Sequence, residues 1–509
     1  MIKKIINFNE LKIISEKFKK LKKKIVLCHG VFDLVHYGHI KHFEQAKTKG
    51  DLLIVTITPD KFVNKGPLRP VFNIQKRMES IAALNCVDYV CPNQSSDARL
   101  PISKLKPSIY CKGKDYLDHK DDITGLIKAE IKELKKYGGK IFYTNTEQHS
   151  SSNIINTLGL NQNKEQVDYL SKIKNYLTNK KKNLPDIFRE FNKLKVLVIG
   201  EVIIDEYIFC EALGKSGKEP VMVIRDIEKE RYLGGAGALV NNLREFVNSV
   251  DFISYVGDQK NEINFINKAL DKKIKKFFIR KSNSPTIIKR RFIEAINKSK
   301  LLGVYTLNDN PLNMKQESEI SKTIKDKIKK YDLVIVSDYG HGLISKKMAK
   351  LIVNNSKFVS VNTQINSSNQ GLNLIPKYLN ADLISINENE LRNELREKDE
   401  NLEILIKKFA KKFKIKYLNI TCGDNGSYFY SKKTNKIFNC PAFASKVVDK
   451  VGAGDSMLPI LSISIFNKIE SKLSVFFSSI AAAINIQSMA NKTPLKKIKF
   501  IKAVQTYLK

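Results

Sequence analysis

The chain has 509 residues, too many for one compact core and enough for two or three domains. Its 42% hydrophobic content excludes a wholly disordered protein, and 24 glycines with 14 prolines exclude collagen-like or Pro/Gly-dominated low complexity. The formal charge of +37 rests on 77 lysines spread along the chain against only 12 arginines, the pattern of a solvated surface rather than of a base-reading face. No nucleic-acid partner is expected. The seven cysteines show no CxxC and no paired Cys/His spacing, which predicts reduced thiols in the cytoplasm, no disulfide framework and no protein metal site. Charge interrupts the opening MIKKIINFNELKII too early for a secretory leader.

In chain order, short runs rich in Val, Ile and aromatics predict strands at 25–29, 52–57, 86–91, 107–111 and 140–144, with helices at 40–49 and 74–84. Strand–helix alternation with continuous apolar strands indicates an α/β unit whose parallel sheet is covered on both faces. This unit is placed at 1–156. A polar, Lys/Asn-rich stretch at 157–190 with weak helical periodicity reads as a helical linker. A second α/β unit is placed at 191–509, opening on KVLVIGEVIID, a buried strand followed by a turn. Further buried strands are expected at 331–338, 381–386 and 417–421. The uncharged run 473–491 is long enough to suggest a membrane span, but its serines and amides favour a buried core helix, and no membrane partner is expected.

Residues 28–39 read Cys-His-Gly-Val-Phe-Asp-Leu-Val-His-Tyr-Gly-His. A strand enters a turn, and His36 and His39 stand three apart where a helix begins, on one side of its first turn. The N–H groups and dipole of a helix start add to them, forming a site for negative charge that develops on a nucleotide phosphate. Gly38 lets backbone come close to phosphate. The string Gly30-x-Phe32-Asp33-x-x-His36-x-Gly38-His39 resembles the signature of the cytidylyltransferase-like nucleotidyltransferases. That resemblance implies a Rossmann-like sheet, catalytic His36 and His39, and nucleotide contacts from Gly30, Phe32, Asp33 and Gly38. Asp33 orients either the turn or a metal, or is purely structural. Leu68-Arg69-Pro70-Val71 with Gln75-Lys76-Arg77-Met78 is similar to the family's segment that brings a basic side chain, here Arg77, to the triphosphate. Lys112-Gly113-Lys114-Asp115-Tyr116 and Ser150-Ser151-Ser152-Asn153 resemble its later phosphate-binding loop and hydroxyl-rich turn.

Residues 449–456 read Asp-Lys-Val-Gly-Ala-Gly-Asp-Ser and precede an apolar helical pattern. Gly452 and Gly454 allow a tight turn with N–H groups facing a phosphate, and Asp455 is placed to take a proton from a hydroxyl attacking a γ-phosphate. Gly-Ala-Gly-Asp resembles the signature of the ribokinase-like (PfkB) sugar kinases. The resemblance implies a ribokinase-like α/β/α domain with an anion hole at Gly452, Ala453 and Gly454. It also implies sugar contacts from Asp205, Gly234, Gly235 and Asp338, and a nucleotide side at Thr421, Gly423 and Gly426. Two features depart from that family. The Asn usual after the double glycine is replaced by Ala238 or Leu239, with Asn242 following, and the usual Asp-Pro-Lys-like segment stands as Val361-Asn362-Thr363-Gln364.

The pair of halves resembles the bifunctional enzymes of ADP-heptose synthesis, with the order reversed. The resemblance implies ATP-dependent phosphorylation of a heptose 7-phosphate-like sugar. It further implies nucleotidyl transfer from a nucleoside triphosphate to a sugar 1-phosphate, with Mg²⁺ as cofactor. The partners so implied are ATP or another NTP and a sugar phosphate; a homodimer is compatible. A second reading pairs a CTP-dependent transferase for another sugar or polyol phosphate with a divergent or regulatory kinase-like domain.

Overall fold

The computed structural model describes residues 4–63, 69–114, 126–145, 162–180, 183–366, 369, 375–444 and 447–508. The chain divides into two compact units, one of residues 1–170 with 501–509 and one of residues 171–500.

In the first unit, strands β1 (Ile25–Gly30), β2 (Leu52–Ile57), β3 (Tyr89–Pro92), β4 (Ile109–Gly113) and β5 (Lys140–Thr144) form one sheet in the order β3-β2-β1-β4-β5. Every pairing is parallel. The runs IVLC and LLIVTI lack polar alternation because both faces are covered. Ile25, Leu27, Leu52 and Ile54 enter one core cluster, while their neighbours Val26, Cys28, Leu53 and Val55 enter another on the opposite face. Helices α1 (Glu10–Lys20), α2 (Tyr37–Lys47), α3 (Ile74–Ala82), α4 (Arg99–Leu105) and α5 (Leu126–Lys135) connect or cover the strands. The third strand starts later than the sequence predicts, at Tyr89. Asp88, just before it, uses one carboxylate oxygen to accept the Leu53 N–H and to pair with Lys47, which fixes an approach turn rather than a ladder. The chain leaves β1 toward β2 and returns on its other side as β4, so a crevice opens beyond the carboxyl ends of those two strands.

The second unit holds a nine-stranded sheet in the order β10-β9-β6-β13-β14-β15-β16-β17-β18. Its strands are β6 (Lys195–Gly200), β9 (Ser249–Val256), β10 (Lys275–Arg280), β13 (Leu333–Asp338), β14 (Val359–Thr363), β15 (Leu383–Asn387), β16 (Tyr417–Thr421), β17 (Ser427–Ser431) and β18 (Lys436–Cys440). Only β16, β17 and β18 pair antiparallel. Between β6 and β13 the strand order reverses, and the residues just past both strands face one crevice. A second, four-stranded sheet has the order β12-β11-β7-β8, from β7 (Val202–Lys215), β8 (Met222–Gly234), β11 (Ile288–Glu294) and β12 (Lys300–Thr306). KVLVIGEVIID is therefore not a strand and a turn but two strands: β6 ends at Gly200 and β7 leaves for the other sheet. The uncharged run near 473 forms the buried helix Ser471–Asn485. Among the described residues no helix is long and apolar enough to cross a membrane.

Candidate functional site

In the first unit, α2 starts immediately beyond β1. His36 is its N-cap and accepts the Gly38 N–H on Nδ1 at 3.1 Å, which puts the neutral ring's proton on Nε2. The His39 ring stacks at a tilt over it, centroids 3.9 Å apart, and Phe32 meets His39 edge-on at 5.5 Å. The two imidazoles that the sequence pairs are thus neighbours at a helix N-terminus. The approach loop is strained: Phe32 and Leu34 both sit in the left-handed region, at φ 49° and 52°. Gly30 serves the same loop, since a Cβ there would press on the Phe32 ring at 3.0 Å.

Three other expected nucleotide contacts are spent on the protein itself. Asp33 is fully buried; it accepts the N–H groups of Val71 and Phe72 and pairs with Arg69. It is a clasp for the strained loop. Arg77, 1% exposed, donates Nε to Phe72 O, Nη1 to Val31 O and Nη2 to Thr58 O and Asp60. Four of its five N–H donors are so engaged and the side chain is buried. Lys112 lies in the sheet interior, where its Nζ stands 3.5 Å from Glu130 and 3.4 Å from His29 O. It answers the buried Glu130 carboxylate. Burial, with the Lys112 charge adding, holds His29 and His42 down at about 4, so both are neutral rings. Ser150, Ser151 and Ser152 lie outside the described residues, as do Leu68, Asp115 and Tyr116.

In the second unit, the helix Ala453–Phe466 begins behind Gly452, which has φ 87° and faces the Asn491 side chain, where a Cβ would collide. Asp455 lies in its first turn. The Tyr339 hydroxyl donates to Asp455 Oδ1 at 2.6 Å. Burial pushes the carboxyl up to about 6, against that hydrogen bond and the nearby positive charge of Lys289. Asn242, which follows the double glycine, is fully used: Nδ2 donates to Asp455 O at 3.3 Å and Oδ1 accepts the Leu495 N–H at 2.9 Å. It ties the helix Gly235–Arg244 to the aspartate's backbone.

Asp205 and Gly234 come together as the sequence suggests. Arg291 holds Asp205 Oδ1 at 2.5 Å, and Oδ2 lies over Gly234, where any side chain would collide. Gly235, at φ 56°, opens the helix beside them. Asp338 is 1% exposed and takes the Gly340 N–H, the Tyr378 hydroxyl and the Lys377 ammonium, so in this structure it braces the turn. Beneath that turn lies Glu201, invisible to motif reading. Its carboxylate accepts the N–H groups of Tyr339, His341 and Leu343, and burial with the neighbouring Asp338 raises it to about 7.

The nucleotide-side glycines divide by packing. Gly426, at φ 80°, abuts Cys440 O and is demanded by β18, whereas a Cβ on Gly423 or Gly454 would meet no atom within 4 Å. The loops carrying Thr421–Gly426 and Gly452–Gly454 are joined by Lys450, 3.5 Å from Asp424. Upstream, Asp449 receives the Tyr207 hydroxyl, the Lys300 ammonium and the Val451 and Ala490 N–H groups, linking the four-stranded sheet to this turn. Lys289 and Arg291 on β11 were hidden in sequence among many lysines; only their alternation, which puts both on one face, marks them.

Comparison with known proteins gives a family match for each half of the chain. The family model "pfkB family carbohydrate kinase" matches residues 193–498 and "Cytidylyltransferase-like" matches residues 27–157. Among curated proteins, the "Bifunctional protein HldE" of Campylobacter jejuni (strain RM1221) is 28% identical over 308 residues, covering 60% of this chain and 63% of that protein. The protein of the same name from a Nitratiruptor species is 29% identical over 305 residues, covering 59% and 63%. The chain thus spans less than two thirds of these relatives' length. Phosphofructokinase-2 from Escherichia coli, in a crystal structure with potassium, shares the fold of the larger unit at TM-score 0.51 and 12% identity, covering 62% of this chain and 98% of that one. With more than half of its length matched by one family model, the chain belongs to the pfkB family of carbohydrate kinases and carries a cytidylyltransferase-like domain ahead of that region.

Proposed function

We propose that this chain is a bifunctional sugar-activating enzyme of the cytoplasm, with its two activities joined across residues 157–190. The pfkB half phosphorylates a heptose 7-phosphate-like sugar from ATP. The cytidylyltransferase-like half joins a sugar 1-phosphate, the bisphosphate product after hydrolysis of its other ester, to a nucleotide and releases pyrophosphate. The observation that carries the reading is Asp455: a carboxyl raised to about 6, held by Tyr339 in the first turn of a helix whose N-cap is left-handed Gly452. A base with that affinity takes the proton of a sugar hydroxyl as its oxygen attacks the γ-phosphorus. The N–H groups after Gly452 receive the charge on the transferred group.

Mg²⁺ keeps several waters and takes one or two carboxylates besides substrate phosphates. The residues fit an ion carried on the triphosphate, with Asp455 the carboxylate at hand; among the described residues no group of three or more His, Cys, Asp or Glu side chains is placed to hold a metal. When bound, the ion neutralises phosphate charge. In the other half no protein nucleophile is required. A sugar phosphate oxygen attacks the α-phosphorus, and His36 and His39 with the α2 N–H groups stabilise the charge as pyrophosphate leaves. Seven free cysteines support a reducing compartment.

The test is mass spectrometry of full-length protein given ATP, CTP, Mg²⁺ and a panel of sugar phosphates. The expected products are a sugar bisphosphate and, from supplied sugar 1-phosphate, a nucleotide sugar with pyrophosphate. Asp455→Asn stops the first and spares the second. Every triphosphate remaining intact would sink the reading. Use of CTP in place of ATP by the transferase half would favour the second reading, a cytidylyl transfer to another sugar or polyol phosphate, for which the cytidylyltransferase-like match is the support.

A further inference from the structure

Lys289 is a largely buried lysine whose ammonium has no counter-ion among the described residues. The residue is 7% exposed, yet among the described residues its Nζ has no ion pair and no hydrogen bond. It lies over two aromatic faces, 5.6 Å from the Tyr305 ring centre and 5.5 Å from that of Tyr339. On the four-stranded sheet its cross-strand neighbours are Asp205 on β7 and Tyr305 on β12. Tyr339 in turn donates to Asp455. The ammonium therefore stands one ring away from the reacting carboxylate, on the Asp205–Gly234 side of it.

The carboxylates whose field reaches Lys289 are Asp205, Glu201 and Asp309, and the Lys289 charge in turn acts on Asp455. Each is engaged elsewhere. Asp205 is held by Arg291, Glu201 by three backbone N–H groups, Asp309 by His341 at 2.6 Å, and Asp455 by Tyr339. Arg291, two residues along β11 on the same face, is committed to Asp205. Among the described residues Lys289 is the cation of this face whose N–H donors the protein leaves unused, and an ammonium held among apolar and aromatic groups favours an anion to complete it.

We propose that Lys289 is the specificity-determining residue that binds the anionic ester of the acceptor, so that the kinase half selects a sugar phosphate over the neutral sugar. The proposal rests on the kinase reading above but is tested apart from it. One charge-assisted contact of this kind accounts for a preference of about tenfold to a hundredfold.

The experiment uses the full chain saturated with Mg²⁺ and β,γ-imido-ATP, which fills the nucleotide cradle, titrated calorimetrically with sedoheptulose 7-phosphate and with sedoheptulose. The wild type is expected to bind the ester at least tenfold more tightly. Lys289→Met loses that preference, and Lys289→Arg retains part of it. Nucleotide affinity and the affinity for the neutral sugar are the internal controls for folding. The proposal is overturned if Lys289→Met binds the ester as the wild type does, or if the wild type does not prefer the ester. It is also overturned if the variant lowers kcat equally with both acceptors, which would mark a contact to the transferred phosphoryl or a structural counter-charge. Failure of the kinase reading shows differently: the wild type turns over no acceptor, while ester affinity still depends on Lys289.

Discussion

Asp455→Asn separates chemistry from stability. Burial lifts the Asp455 carboxyl from its ordinary 3.8 to about 6, so keeping it ionised inside the fold costs about 3 kcal/mol at pH 7. The sign follows from proton binding. Between 3.8 and about 6 the native state holds a proton that the unfolded chain has released, so stability falls as pH rises through that window. Above it the full cost is present. Asparagine has no charge to desolvate and keeps an acceptor oxygen for the Tyr339 hydroxyl, now 2.6 Å from Oδ1. The variant is expected to be more stable than the wild type by about 1–3 kcal/mol at pH 7.5, and by about 1 kcal/mol or less at pH 4.5. Phosphoryl transfer falls by about 10²–10⁴. Thermal and urea melts of the full chain at both pH values measure the first effect, and release of ADP measures the second. A variant no more stable at pH 7.5, or stabilised equally at both pH values, refutes the electrostatic argument. Retained phosphoryl transfer removes Asp455 from the role of base.

Four further outcomes are expected. Arg77→Met leaves three buried carbonyls and Asp60 without their donor and costs the first unit about 3–5 kcal/mol; Arg77→Lys keeps the charge but not the fork and does not restore it, as urea denaturation will show. His36→Ala and His39→Ala each lower nucleotidyl transfer by about 10²–10³ and leave sugar phosphorylation unchanged, measured as separate pyrophosphate and ADP release. Gly452→Ala is strained at φ 87° and collides with Asn491, so it lowers both melting temperature and kinase activity. Gly454→Ala meets no protein atom within 4 Å and gains about 0.5–1 kcal/mol of helix stability, yet loses phosphoryl transfer if that space belongs to phosphate; normal turnover in Gly454→Ala would show the space to be solvent.

The first sheet was legible because its strands are buried on both faces and so read as unbroken apolar runs; IVLC and LLIVTI have no other good use. The four-stranded sheet was not. Its strand Met222–Gly234 reads MVIRDIEKERYLG, and most of that strand is exposed, so the pattern is that of a charged loop. The helix starts at His36 and Gly452 were legible because a left-handed glycine or a capping side chain leaves a mark in local sequence. Glu201 left none: its partners are backbone N–H groups more than a hundred residues away, and a backbone group has no residue type to recognise.

The same distinction separates motif residues that the fold itself engages from those it leaves open. Asp33, Arg77 and Asp338 sit in conspicuous strings, and each has spent its polar atoms on the chain: on the N–H groups of Val71 and Phe72, on the carbonyls of Phe72, Val31 and Thr58, and on Gly340, Tyr378 and Lys377. A polar atom whose hydrogen bonds are already made inside the protein gains little by exchanging them for a ligand, and the exchange leaves its old partner unsatisfied. A motif therefore marks both the groups that touch substrate and those that shape the backbone around it, without telling them apart. Structure tells them apart by what remains unused. In the kinase crevice the unused capacity is the open space at Gly423 and Gly454, the raised carboxyl of Asp455 and the unpaired ammonium of Lys289. Two of these four, Gly423 and Gly454, are openings that only a small residue leaves, one is a base and one a cation. On the function proposed above, together they suit a substrate with phosphate on one side of a reacting hydroxyl and a second anion on the other.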